Sequence, residues 1–165
     1  MEIGWVQEGA YCLITCDILT RREIEARIVA PLLEAFADEI GREQALEIVR
    51  QVILQISREQ GAQLAQQAGG CTLVYFTAAL EAWKKGDAMA MDVLEQNDER
   101  LAFNVTRCGY ADMYRQLGIP ELGKYLSCGR DFALIEGFND KINLTRTQTI
   151  LDGAAFCDFR YELKA

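Results

Sequence analysis

The stretch Met89-Ala-Met-Asp-Val-Leu-Glu-Gln-Asn-Asp-Glu-Arg-Leu-Ala-Phe-Asn-Val-Thr106 is where this chain changes its period. Met89, Met91 and Val93 alternate with Ala90, Asp92 and Leu94. Leu101, Phe103 and Val105 alternate with Ala102, Asn104 and Thr106, and Asn97-Asp98 between the two runs is turn material. Period-two runs on either side of a turn predict a β-hairpin, at residues 88–95 and 100–106.

Upstream of the hairpin the period is helical. Thr20-Arg21-Arg22-Glu23 has the form of a capping box, and Ile24, Ile28, Leu32, Ala35 and Phe36 follow at helical spacing. Pro31 lacks an N–H and is expected to kink or restart this helix, and Gly41 to end it. A second helix is expected over 42–67. Leu46, Val49, Ile53 and Ile56 form its apolar stripe, with Glu43, Arg50, Arg58 and Glu59 toward water. Gly69-Gly70 breaks it, and a third helix over 72–85 offers Val74, Ala78 and Trp83 for burial.

Downstream, residues 108–117 read as a helix closed by Gly118, and Pro120 suits the first turn of another that runs to 126. A helix over 130–137 continues beyond Gly129. Residues 143–150 read as a strand, with Thr145, Thr147 and Thr149 on one face. Asp152-Gly153 is a turn signal, and 156–163 a returning strand. The fold class is therefore α+β: N-terminal helices packed on a mainly antiparallel sheet made of two hairpins separated by helices. A length of 165 residues suits a single domain, helical over 1–86 and mixed over 87–165.

A net charge of −8 and a pI near 4.6 argue against nucleic-acid binding and against anionic membrane surfaces. No apolar run is long enough to cross a membrane. The first sixteen residues have no basic n-region, which directs the expectation to a reducing, cytoplasmic setting. The six cysteines are Cys12, Cys16, Cys71, Cys108, Cys128 and Cys157, and no CxxC pair occurs. Cys12 and Cys16 alone do not make a zinc site, so no metal is expected. With no P-loop, GxGxxG or GxSxG, no cofactor is expected either.

The chain has no histidine, so any acid, base or nucleophile comes from Cys, Asp, Glu, Lys, Tyr or Arg. Three cysteines stand beside ionic side chains: Arg107-Cys108, Cys128-Gly129-Arg130-Asp131 and Cys157-Asp158-Phe159-Arg160. A guanidinium beside a thiol favours the reactive thiolate. At Cys128 a helix restarting after Gly129 would add its N-terminal amides. The alternatives are a plain helix break there and a core-facing thiol at Cys157, whose strand partners Phe159 and Tyr161 share its face. Arg107 could hold a carboxylate by a bidentate fork or pair with Asp112, and Asn139 could orient a ligand or make an Asx-turn.

Taken together, six segments resemble the L-2-amino-thiazoline-4-carboxylic acid hydrolase family. They are Phe103-Asn-Val-Thr-Arg-Cys-Gly-Tyr-Ala-Asp-Met-Tyr114, Leu117-Gly-Ile-Pro-Glu-Leu-Gly123, Leu126-Ser-Cys-Gly-Arg-Asp131, Gly137-Phe-Asn139, Leu144-Thr-Arg-Thr-Gln-Thr-Ile150 and Cys157-Asp-Phe-Arg-Tyr161. The resemblance implies a hydrolase that opens a cyclic isothiourea or amidine-type ring bearing a carboxylate. Chemistry for that reaction would place the catalytic groups among Cys128, Asp131, Cys157 and Asp158. Substrate would be held by Arg107, Arg130, Asn139, Arg146 and Arg160. The order of helices before hairpins is also similar to the vinyl-reductase-like sensor domains, which implies a noncatalytic small-molecule binding domain as the alternative. A redox-responsive or thiolate-metal protein is a third reading. The expected partner is a small molecule, with a homodimer through the apolar stripes of the first two helices as a further candidate.

Overall fold

The computed structural model describes residues 16–164. Helix α1 spans Ile18–Ile40, α2 Arg42–Ala68 and α3 Leu73–Lys84. The hairpin β1 (Met89–Gln96) and β2 (Arg100–Cys108) follows, then α4 (Gly109–Gln116) and α5 (Pro120–Gly123). A π-helical turn, Lys124–Cys128, leads directly into α6 (Arg130–Phe138). Strands β3 (Ile142–Thr145) and β4 (Cys157–Leu163) complete the fold. The sheet has the order β1-β2-β4-β3 and every pair in it is antiparallel. The α+β architecture of helices on two joined hairpins is the one expected from the sequence.

The β1–β2 turn forms as its residues dictate. Asn97 Oδ1 accepts from the N–H groups of Glu99 and Arg100 at 3.0 and 2.8 Å. The second hairpin departs from expectation. Pairing stops at Thr145, because the next residues turn away to be held by side chains. Thr147 N–H and Gln148 N–H both donate to Asp158 Oδ1 at 2.9 Å, and Thr149 Oγ1 bonds Asp152 Oδ2 at 2.5 Å. The three threonines thus form no ladder, since hydroxyl-to-carboxylate bonds compete with strand pairing for this segment.

The helical faces also differ from expectation. The cap of α1 is Asp17, whose Oδ1 accepts from Thr20 N–H at 2.8 Å, and the helix runs through Pro31 without interruption. Its buried side is Arg22, Ala26 and Leu33. The expected stripe faces outward, with Ile24, Ile28, Leu32 and Phe36 about half exposed. On α3 the buried residues are Leu73, Phe76 and Leu80, while Val74 is exposed. On α2, Ile53 is buried as expected, but its neighbours inside are the small residues Ala45, Ser57 and Gly61.

Ser57 and Gly61 serve one contact, with α6. A Cβ on Gly61 would lie 2.1 Å from Leu134 O, and one on Gly137 2.0 Å from Arg58 O. Helices α2 and α6 therefore touch backbone to backbone, at a separation only glycine permits. Ser57 Oγ seals the crossing by donating to Arg130 O at 2.9 Å.

Two hydrophobic cores result. One gathers Ala26, Leu33, Ile53, Tyr110, Tyr114, Leu122 and Leu126 from the helices. The other joins α3 and α6 to the sheet through Phe76, Leu80, Phe103, Val105, Phe138 and Tyr161. Met89, Cys108 and Ile150 pack against both.

Candidate functional site

A cavity of about 120 Å³ lies along the seam between these cores. An apolar cavity of roughly 150 Å³ accommodates a benzene ring, so the space suits one small ring. Most of its wall is hydrocarbon. Phe76, Leu80 and Trp83 come from α3, Phe103 and Val105 from β2, and Phe159 and Tyr161 from β4. The aromatic wall is close-packed: Phe76 and Tyr161 lie 5.0 Å apart by ring centroid, and Phe103 stacks on Phe159 at 4.9 Å.

One end of the hollow is polar. Arg22 of α1, Tyr110 and Tyr114 of α4, Ser127 and Cys128 of the π turn, Arg130 and Asp131 of α6, and Arg146 after β3 all line it. Cys108 and Cys157 border the same space. The π turn is what gathers four of these. Gly129 N–H donates to Lys124 O at 2.7 Å, one residue further back than in an α-helix. Such widened turns recur at functional sites because they re-aim side chains. Here Ser127, Cys128, Arg130 and Asp131 all reach the hollow.

This continuity corrects one expectation. Gly129 has φ −67° and ψ −23°, so no break occurs and no free helix N-terminus faces Cys128. The thiolate expectation falls with it. Burial pushes the Cys128 thiol up to about 12, and the nearby Asp131 adds to this while Arg146 only partly offsets it. Burial likewise raises Cys108 to about 11, and Cys157 is raised by burial despite a 3.2 Å hydrogen bond from Ile150 N–H to its sulfur. All three thiols are protonated at neutral pH. At Cys128 and Cys157, desolvation of the thiolate exceeds what the shared Arg146 guanidinium returns.

Asp131 is the carboxyl group of the site. Arg146 holds it by an ion pair and also donates to Cys128 O at 2.8 Å. The guanidinium of Arg146 lies 5.1 Å from the ring centres of both Phe132 and Phe159, which fix its plane. Asp131 sits deep in the fold, yet 34% of its side chain remains accessible because it faces the hollow. Burial raises its pKa above the usual carboxylate range; Arg146, Arg130 and Arg22 oppose that shift without cancelling it. Beside it, Tyr114 and Ser127 share a hydroxyl hydrogen bond of 2.8 Å.

Of the residues singled out in the sequence, Cys128, Asp131, Cys157, Arg130 and Arg146 line the hollow. The other four hold the frame elsewhere. Asp158 accepts from Thr147 N–H, Thr147 Oγ1 and Gln148 N–H at 2.7–2.9 Å. Burial disfavours its charge, but those hydrogen bonds prevail and lower its pKa. Arg107 pairs with Asp87, and Arg160 donates to Phe103 O and Asn104 Oδ1 at 2.8 and 2.9 Å. Asn139 makes the Asx-turn, accepting from Lys141 N–H at 2.9 Å while its amide donates to Cys71 O at 2.8 Å. The residues that sequence reasoning missed are Arg22, Tyr110, Tyr114 and Ser127. A row of small residues, Ala26, Ala30 and Ala37, marks the packed side of α1 and could have exposed Arg22 as an inward cation.

Among known proteins, a family model described as L-2-amino-thiazoline-4-carboxylic acid hydrolase matches residues 21–161. No curated protein matches the chain. Among solved structures, the fold is similar to the phenol-responsive sensory domain of the transcription activator PoxR, solved with phenol. That match has a TM-score of 0.52 at 15% identity and covers 84% of this chain and 73% of that one. A second, weaker likeness is to trafficking protein particle complex subunit 3 from Naegleria fowleri, covalently bound to palmitic acid. Its TM-score is 0.49 at 11% identity, over 88% of this chain and 96% of that one. At these identities the structural likenesses speak to fold alone, whereas the family match spans nearly all of the described residues. The chain belongs to the L-2-amino-thiazoline-4-carboxylic acid hydrolase family.

Proposed function

We propose that this protein hydrolyses a small cyclic isothiourea or amidine-type ring, with Asp131 as the proton carrier. The observation that carries the reading is a carboxyl group of raised pKa at the polar end of an aromatic, ring-sized hollow. A carboxyl so placed suits general acid–base work near neutral pH. Its ionised form takes a proton from water as the oxygen bonds to the carbon between nitrogen and sulfur. The hydroxyl's remaining proton passes to the ring nitrogen as the carbonyl forms, the C–S bond breaks, and the proton on Asp131 passes to the departing sulfur. For the substrate in the family's name the product is N-carbamoyl-cysteine, whose atoms are those of the ring plus one water. Arg146 orients the carboxyl. The protonated thiols of Cys128 and Cys157 favour direct attack by water over a thioester-like intermediate.

The test is incubation of the full chain with L-2-amino-thiazoline-4-carboxylate and detection of N-carbamoyl-cysteine. Product formation that depends on active protein is expected. A bound ligand returned unchanged supports the second reading, a binding domain without turnover. That reading is favoured by the mostly apolar wall and the neutral thiols, and the phenol-binding PoxR domain offers a precedent on the same fold.

A second copy of the chain is the partner we propose for the outer face of α1 and α2. Ile24, Ile28, Leu32 and Phe36 on α1 and Ile48, Val52 and Ile56 on α2 leave large apolar side chains 38–56% exposed. At about 150–200 Å² per large side chain, half of each sums to roughly 600 Å², near the ~800 Å² per partner of a standard interface. Light scattering is expected to give a dimer that Leu32→Glu converts to a monomer. A wild-type monomer at micromolar concentration removes the proposal.

A further inference from the structure

We propose that Arg22 and Arg130 form an anion subsite in the hollow that takes the carboxylate of a flat, single-ring ligand. This rests on the small-molecule reading of the site and names the ligand class.

Arg130 is 4% exposed and lines the cavity. Its only side-chain partner among the described residues is a neutral one: Nη2 donates to Gln60 Oε1 at 2.5 Å. A guanidinium carries five donor hydrogens, so most of its capacity is free. Among the described residues no fully buried side-chain nitrogen lacks a partner, so the free donors open onto the hollow. Arg22 is 8% exposed and lines the same space from α1, with Nη1 donating to Glu25 Oε2 at 2.5 Å. Arg146 is already committed to Asp131 and Cys128 O.

The charge balance follows. Among the described residues, three guanidinium groups border the hollow and one carboxyl group does. Glu25, one-third exposed, offsets Arg22 and leaves Arg130 without a counter-ion among the described residues. Burial first, and then the like charge of Arg22, lower the Arg130 pKa to about 10. A cation held this deep without an anion is costly, by several kcal/mol in general. A ligand carboxylate supplies the missing charge and the missing acceptors at once, with the bidentate geometry guanidinium groups favour. Its ring then lies along the aromatic wall, with the carboxylate at the polar end.

The experiment is calorimetric titration of the full chain with 2-aminothiazole-4-carboxylate and with its neutral carboxamide. The aromatic ring resists hydrolysis, so binding is read apart from turnover. The carboxylate is expected to bind at least about tenfold more tightly, equivalent to ~1.4 kcal/mol. Arg130→Met is expected to abolish that preference while leaving the melting temperature of the ligand-free protein unchanged or higher. Arg22→Gln narrows the preference, and Arg130→Lys restores part of it. Equal affinity for the two probes, or millimolar failure of the carboxylate to bind, overturns the subsite. So does a preference that survives Arg130→Met or, should that variant not fold, one that Arg22→Gln leaves undiminished. Selective binding without product from the thiazoline substrate would instead sink the hydrolase reading and leave the subsite standing.

Discussion

Two segments of this chain carry the same ingredients and put them to opposite uses. The π turn and α6 bring Cys128, Arg130 and Asp131; β4 brings Cys157, Asp158 and Arg160. On the helical segment all three side chains face the hollow. On the strand only Cys157 does, because neighbouring residues alternate between faces, and Asp158 and Arg160 turn to the other side. The carboxyl groups record the difference. Asp131 is raised by burial against its ion pair, and Asp158 is lowered by three hydrogen bonds against its partial burial. Neighbourhood in sequence says little about a carboxylate until the element that carries it is known.

The strongest way to break this comparison is to exchange the two aspartates for asparagine in turn. Asp131→Asn is expected to lower turnover by about 10²–10⁴-fold, the usual worth of a general acid–base group. Wild-type turnover should follow a group titrating above the ordinary carboxylate range, and the Asn variant should lose that dependence. Asp158→Asn should leave turnover within about twofold, since the group touches no cavity atom. Equal losses in both variants would end the distinction.

The next largest effect concerns the crossing that holds α6 in place. Gly61→Ala and Gly137→Ala each set a methyl group about 2 Å from a backbone carbonyl oxygen. Each is expected to cost about 3 kcal/mol, at the upper end for overpacking, with denaturant unfolding as the measure. A change below ~0.5 kcal/mol would show that the helices part without penalty.

A smaller effect is expected in acid for Asp158. Its native pKa lies below the unfolded value of 3.8, so the native state binds fewer protons. The stability it contributes is present above pH 3.8 and is lost as pH falls through the native pKa. Asp158→Asn should cost about 1–2 kcal/mol at neutral pH and flatten the acid limb of the stability curve. An unchanged acid limb would contradict the clamp on Thr147 and Gln148.

The mildest test compares thiols. Exposed Cys71 should react with iodoacetamide at neutral pH, while Cys108, Cys128 and Cys157 stay unmodified in the folded protein. Alkylation of Cys128 should lag far behind that of Cys71 at every pH at which the protein stays folded, because burial raises its thiol. Rapid modification of Cys128 near neutrality would restore the thiolate that burial removes.

Both hairpins, the helix-rich first half and most of the site motifs were legible in the order of residues. Alternation over 89–106 and the turn at Asn97 act locally, and so do Gly41 and Gly69 with φ of 88° and 76°. Legibility ended where a choice depended on distant partners. The Ile24–Phe36 stripe has the spacing of a core face, but Ala26 and Leu33 lie inside because the small residues admit the neighbouring helices. Residues 146–149 have strand propensity, yet Asp158 draws them off the sheet.

The sequence alone settled which chemistry was on hand: no imidazole, abundant acid, and arginine beside thiol and carboxyl groups. Fixing the periods of the helices and strands also lay within its reach, because hydrogen bonding and side-chain alternation operate over a few residues. Tertiary structure decided that two cores meet imperfectly and leave a hollow, and that Arg22 and Asp131, more than a hundred residues apart, face it together. It decided the protonation of the thiols as well, since desolvation is set by everything packed around a group and not by the residue beside it.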